Sequence, residues 1–171
     1  MSIELENLQL GESTEIIRAE SHEDIAHALL VLAQQSTRRL DIFSHELERR
    51  IYNSEALQQA LLKLATRTRH TKIRIIVKDT TKLVKQGSRL VNLSHRLSSH
   101  IEIRTPPIEY RDHSEEFAVA DDTGFVYRPI ATRYDGDVCF HEPIKARQLV
   151  KFFEECWLKS GTDPNLRRLD I

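Results

Sequence analysis

Apolar positions along the chain switch repeatedly between two spacings. Glu15-Ile16-Ile17-Arg18-Ala19 is a short strand candidate, followed by Ser21 with Asp24 three residues on, the pattern of a helix capping box. From there Ile25, Ala26, Leu29, Leu30, Leu32 and Ala33 form a wide helical stripe, predicted to end near Thr37-Arg38-Arg39, where cations suit the negative end of the helix dipole. Leu40–Ser44 reads as the next strand. Asn53-Ser54 then caps a helix whose stripe is Leu57, Ala60, Leu61, Leu64 and Ala65. The clearest strand is Lys72–Lys78, rich in β-branched residues. Thr80 or Thr81 opens a helix carrying Leu83, Val84, Leu90, Val91, Leu93 and Leu97, and Ile101–Arg104 is a strand stopped by Pro106-Pro107.

The order so far is β-α-β-α-β-α-β, which implies a largely parallel sheet with helices on both faces. The pattern then changes. Glu115–Ala120 and Gly124–Arg128 bracket Asp121-Asp122-Thr123-Gly124, a hairpin turn in which Gly124 is placed for positive φ. Val138–His141 is a further strand. After Pro143 a last helix carries Ala146, Leu149, Val150, Phe153 and Trp157 and ends before Gly161. The expected organisation is a loose leader over 1–13, one α/β domain over 14–160 and a tail over 161–171.

Read whole, Glu15 to Ser160 resembles one half of the phospholipase D-like superfamily. A strand ending in Ser (Ile42-Phe43-Ser44), a Leu/Ala helix, the basic-flanked strand Lys72–Lys78, the late hairpin and the closing Phe152-Phe153 and Trp157-Leu158-Lys159-Ser160 carry the resemblance by their order. It implies an α/β fold with a mixed sheet and a catalytic signature His-x-Lys-x-x-x-x-Asp on the first hairpin strand. In that signature the imidazole attacks phosphorus, the lysine binds phosphate oxygens and the aspartate orients a histidine. Two such sets must meet, so that one histidine attacks while the other protonates the leaving group.

The matching segment is Asp112-His113-Ser114-Glu115-Glu116-Phe117-Ala118-Val119-Ala120-Asp121-Asp122. Counting back from Asp121 puts Ser114 at the histidine position and Glu116 at the lysine position. Shifting by one restores His113 but brings Glu115 to the lysine position and Ala120 to the aspartate position. Neither register keeps a cation, and a carboxylate beside a phosphodiester repels it. Gly124-Phe125-Val126-Tyr127-Arg128-Pro129 also lacks the serine and asparagine that usually follow. No catalytic residue is therefore expected. A rescued site would pair His113 with Arg128 or Arg133, while the structural reading has His113 capping the strand entrance and Glu115 in a surface pair.

The remaining constellations are bland. His22 and His27 stand five residues apart, about 140° around a helix and not one turn, so zinc is not expected there. Cys139 and His141 share a strand face without an evident third ligand. Asp121-Asp122 reads as turn chemistry. No metal and no cofactor is expected, and the two cysteines read as buried thiols.

Net charge is −1, from 25 Lys+Arg against 26 Asp+Glu, which excludes a globally basic nucleic-acid protein. Its distribution is uneven. Between Lys63 and Arg111 the only acids are Asp79, Glu102 and Glu109. This basic middle, with Lys72, Arg74 and Lys78 as candidate ligand-binding residues beside Arg128 and Arg133, suits a phosphate-containing ligand or nucleic acid. It suits equally a homodimer through self-complementary charge, or simply a solvated helix face. No apolar run approaches the ~18 residues of a membrane span, and the polar start predicts a cytoplasmic protein. The expectation is a catalytically degenerate phospholipase D-like domain serving as a binding or assembly module. The alternatives are a phosphodiesterase or nuclease built on His113, or a phosphate- or nucleic-acid-binding domain.

Overall fold

The computed structural model describes residues 3–167. Its strands are β1 (Ile16–Ala19), β2 (Arg39–Ser44), β3 (Lys72–Val77), β4 (Ile101–Arg104), β5 (Glu116–Ala120), β6 (Gly124–Arg128) and β7 (Gly136–Cys139). They form one mixed sheet in the order β1-β7-β6-β5-β2-β3-β4. The β2-β3 and β3-β4 pairs are parallel and all other pairs are antiparallel. The parallel share is thus confined to one side of the sheet and is smaller than the early alternation implies. The late hairpin folds back to insert β5 against β2, so the antiparallel strands extend the sheet on the other side.

The helices are α1 (His22–Gln35), α2 (Arg49–Tyr52), α3 (Glu55–Ala65), α4 (Thr81–Gln86), α5 (Arg89–Arg96), α6 (Pro143–Lys159) and α7 (Pro164–Arg167). One face of the sheet buries Leu40, Ile42, Ile73, Ile75, Ala118 and Val126 against α1, α3 and α5. The other buries Phe43, Ile76, Phe117, Val119 and Phe125 against α6, which supplies Ala146, Leu149, Phe153 and Trp157. β2 is buried from Leu40 to Ser44 because it is central and covered on both faces.

The caps fall where the residue types place them. Ser21 accepts from the Asp24 amide, and the Asp24 carboxylate reaches back to the Glu20 amide at 3.0 Å. Ser54 caps α3 through the Leu57 amide. Three local expectations are corrected. The single helix expected after Thr80 is broken: Gly87, at φ 74°, ends α4, and Ser88 caps α5 through the Leu90 and Val91 amides. In the β5-β6 turn the positive φ angles belong to Asp121 (50°) and Asp122 (58°), not to Gly124. The leader is not loose, since Leu5 and Leu8 are buried and the Gly11 amide donates to the Phe140 carbonyl at 2.9 Å. The C-terminal segment also docks, through Gly161 bridged to Thr105 and buried Leu166.

Candidate functional site

Strand direction decides which signature positions meet. β2 and β3 finish side by side, with the Lys78 amide donating to Ser44 and the Asp79 amide to His45. β5 runs antiparallel to β2 and so enters at this same end of the sheet, bringing His113, Ser114, Glu115 and Glu116 with it. This is also where the strand order reverses, since β2 leads to β3 on one side and receives β5 on the other. Such a switch point, outside the carboxyl ends of parallel strands, is where open α/β sheets hold ligands.

Glu116, which the resemblance aligns with the signature lysine, is buried and satisfied. Its carboxylate accepts from the His45 amide at 2.9 Å, from the Tyr52 hydroxyl at 2.8 Å and from the Arg128 guanidinium. Arg128 stands opposite Glu116 in the β5-β6 register and is buried as well. Its remaining donors go to the carbonyls of Ala131 (3.1 Å) and Arg133 (3.0 Å). Burial works to lower the Arg128 pKa, but the Glu116 charge and Tyr52 outweigh it and hold the pKa above the ordinary value. Burial, reinforced by the same carboxylate, pushes the Tyr52 hydroxyl well above its usual range, so it stays a donor. The result is a sealed, neutral unit.

Ser114, at the histidine position, is exposed and spends its hydroxyl on the Pro129 carbonyl at 2.9 Å. Asp121 lies at the opposite end of β5. Its carboxylate accepts from the amides of Thr37, Arg38 and Arg39 at 2.9–3.0 Å, so it clamps the loop entering β2 and orients no histidine. In this chain the third signature residue is a structural staple.

His113 belongs to the other face of the sheet. Its ring stacks on Phe152 with centroids 4.2 Å apart and meets Phe43 edge-on at 5.6 Å. Its Nε2 lies 2.6 Å from Glu115 Oε1, and the other Glu115 oxygen accepts from the Tyr127 hydroxyl. Burial, together with the Glu115 hydrogen bond, raises the Tyr127 pKa, keeping the phenol protonated. The Lys145 ammonium sits 4.1 Å from the Tyr127 ring centroid. Arg128, bound to Glu116 on the α1 side, and His113, packed on the α6 side, are therefore not brought together. Arg133 is exposed and paired with Asp135 at 2.9 Å.

The other candidate cations are scattered. Arg74 is held by Asp41 at 2.8 Å and by Glu154 at 2.6 Å, under α6. Burial pushes the Asp41 carboxyl up, against the pull of that guanidinium. Lys72 begins β3 and so lies at the far end of the sheet. Lys78 alone reaches the switch point, donating to the His113 carbonyl. Burial lowers its pKa, against the opposing pull of Glu116 and Asp112. Beside it opens a cavity of about 480 Å³ lined by His45, Lys78, Asp79, Pro106, Pro107, Ile108 and Arg111. Nothing in the sequence singles out Tyr52 and His45, and Tyr127, Phe152 and Arg111 stand in sequence motifs without a predicted site role. A signal existed only for the Glu116–Arg128 pair: counting outward from the hairpin turn sets 116 opposite 128.

Chain-wide comparisons agree with this geometry. The sequence matches the family model described as Domain of unknown function (DUF7931) over residues 21–169. The chain belongs to this family. No curated protein matches it in sequence. Among solved structures it is similar to Nuc from Salmonella typhimurium, a phospholipase D family member, with a TM-score of 0.63 at 11% identity, covering 86% of this chain and 96% of that one. It is similar to NucT from Helicobacter pylori, at TM-score 0.61 and 9% identity over 87% of this chain and 100% of the other. TrmBL2, an archaeal chromatin protein with a novel mode of DNA binding, matches at TM-score 0.63 and 12% identity over 94% of this chain and 57% of that one. The fold of this DUF7931 member is phospholipase D-like. No helix among the described residues is long and apolar enough to cross a membrane.

Proposed function

We propose that this DUF7931 domain has given up phosphodiester cleavage and works as a binding or assembly module. The observation that carries this reading is the Glu116–Arg128 pair. Where the resemblance calls for a lysine facing phosphate, this chain has a buried carboxylate neutralised from the neighbouring strand. A phosphodiester at His113 would meet Glu115 directly, and the neighbouring cation, Lys78, is spent on the His113 backbone carbonyl, so the oxygens of the transition state would lack a cation directed at them. The surviving capacity is recognition at the cavity beside Lys78. There Lys78, Arg111 and His45 face a single acid, Asp79, which suits a small phosphate-bearing ligand. We expect this module to act as a homodimer, which light scattering would measure.

The test is hydrolysis of bis-(p-nitrophenyl) phosphate by the full chain, with His113→Ala as control. Turnover at background, unchanged by the substitution, is the expected result. Robust turnover abolished by His113→Ala would overturn the reading. Calorimetric titration with inorganic pyrophosphate addresses recognition directly: the wild type should bind and Lys78→Ala/Arg111→Ala should not.

A further inference from the structure

The basic middle of the chain does not converge on that cavity. It divides between the two ends of β3, and five of its cations, Lys63, Arg67, Arg69, Lys72 and Arg96, lie at the end remote from His113. Because β2, β3 and β4 are adjacent and parallel, the three loops entering them lie side by side. They are stitched together: the Lys72 amide donates to the Arg38 carbonyl at 3.1 Å, Lys72 Nζ to the Ser99 carbonyl at 2.8 Å, and the Ile73 amide to the His100 carbonyl at 2.8 Å. These loops and the last turns of α3 and α5 present Arg38, Lys63, Arg67, Arg69, Lys72 and Arg96, all exposed. No carboxylate pairs with the side chains of Lys63, Arg67, Arg69, Lys72 or Arg96 among the described residues. A cleft of about 820 Å³ opens beside them between α1 and α3, with Lys63, Thr66 and Arg67 on its rim.

We infer that this end of the sheet is a second, independent surface, which binds the sugar-phosphate backbone of a nucleic-acid duplex. A row of unpaired cations on rigidly linked loops suits a polyanion whose charges repeat along a line. The large exposed apolar side chains, Ile16, Ile108, Ile130, Ile144 and Leu158, all lie elsewhere. Without such an anchor the surface lacks the apolar centre of a protein hot spot and the insertion residues of a membrane-binding face. No Phe, Tyr or Trp lies among these loops, so base stacking on a single strand is not provided for. Recognition is by charge, independent of base sequence.

The experiment is fluorescence anisotropy of a labelled 20-base-pair duplex against the full chain across a salt series. The logarithm of the affinity should fall linearly with the logarithm of salt, with a slope of about −4.5 to −5.4 for five or six phosphate contacts. Arg67→Glu/Arg69→Glu should lower affinity at least ~10-fold and flatten the slope by about 2, one unit per lost contact. Lys82→Glu/Lys85→Glu makes the same charge change on α4, beyond the opposite end of β3, and should leave binding unchanged. Equal losses in both variants, no loss in either, or no binding by the wild type at low salt would overturn the inference. Displacement of the labelled duplex by polyglutamate at a lower charge concentration than unlabelled duplex requires would reassign the surface to an acidic protein partner and also overturn it. Neither the hydrolysis assay nor the pyrophosphate titration depends on these residues, so failure here leaves the proposed function standing.

Discussion

A carboxylate at a phosphate-binding position is tolerable only if something offsets its charge and its lost hydration. Glu116 has both, in Arg128 and in the hydrogen bonds from Tyr52 and His45. Removing one member of such a pair leaves a buried charge, which typically costs about 3–5 kcal/mol. Arg128→Met should therefore destabilise the fold by an amount of that order in urea denaturation. Glu116→Gln/Arg128→Met should recover more than half of it, because no ion then remains unpaired. If the double variant were as unstable as Arg128→Met alone, the pair would not be what holds Glu116 in place. The charge reversal at 116 was readable in the sequence, and Arg128 as its partner follows from counting outward across the hairpin turn, whereas the hydrogen bonds from Tyr52 and His45 were not readable. Tyr52 lies 64 residues away from Glu116 in the chain. The sequence offers Arg128 as a partner for His113, and β5-β6 pairing sets it against Glu116 on the other face instead.

Elements were legible where a local signal was strong. Ser21 with Asp24, Ser54, Pro143 and the β-branched run at Lys72–Val77 each fixed a boundary to within a residue or two, since caps and alternation act on near neighbours. The α4-α5 break was missed because apolar spacing continues through it, with Leu83 and Leu90 both buried. Gly87-Ser88 carried the signal, a left-handed glycine followed by a cap. Gly87 has φ 74° and ψ 171°, a region almost closed to other residues, although a Cβ there would meet no neighbour. Gly87→Ala should therefore cost about 1–3 kcal/mol through backbone strain alone. That corresponds to a fall of roughly 2–12 °C in the melting temperature, read by circular dichroism. An unchanged melting temperature would mean that the α4-α5 joint relaxes freely.

At the scale of the whole molecule, the fold has kept its switch point and rearranged the charges around it. Cations that read as one basic stretch are separated by the full length of β3, and Asp121 clamps the loop before β2. Rebuilding the signature residue by residue should therefore fail. Ser114→His/Glu116→Lys would set a lysine against Arg128 in a buried, sealed site, two like charges with no carboxylate between them. The expected result is loss of cooperative unfolding or a destabilisation of at least ~3 kcal/mol, with hydrolysis of bis-(p-nitrophenyl) phosphate at background. Adding Arg128→Glu restores an ion pair in the opposite sense and should return most of the melting temperature. Activity should not return with it, because the new lysine is then bound to the new glutamate. Recovery of both stability and hydrolysis in the triple variant would show that the site had remained catalytically competent in all but two side chains. Recovery of stability alone would show that the buried pair is a structural replacement for the phosphate site, one that point substitutions at the signature positions do not undo.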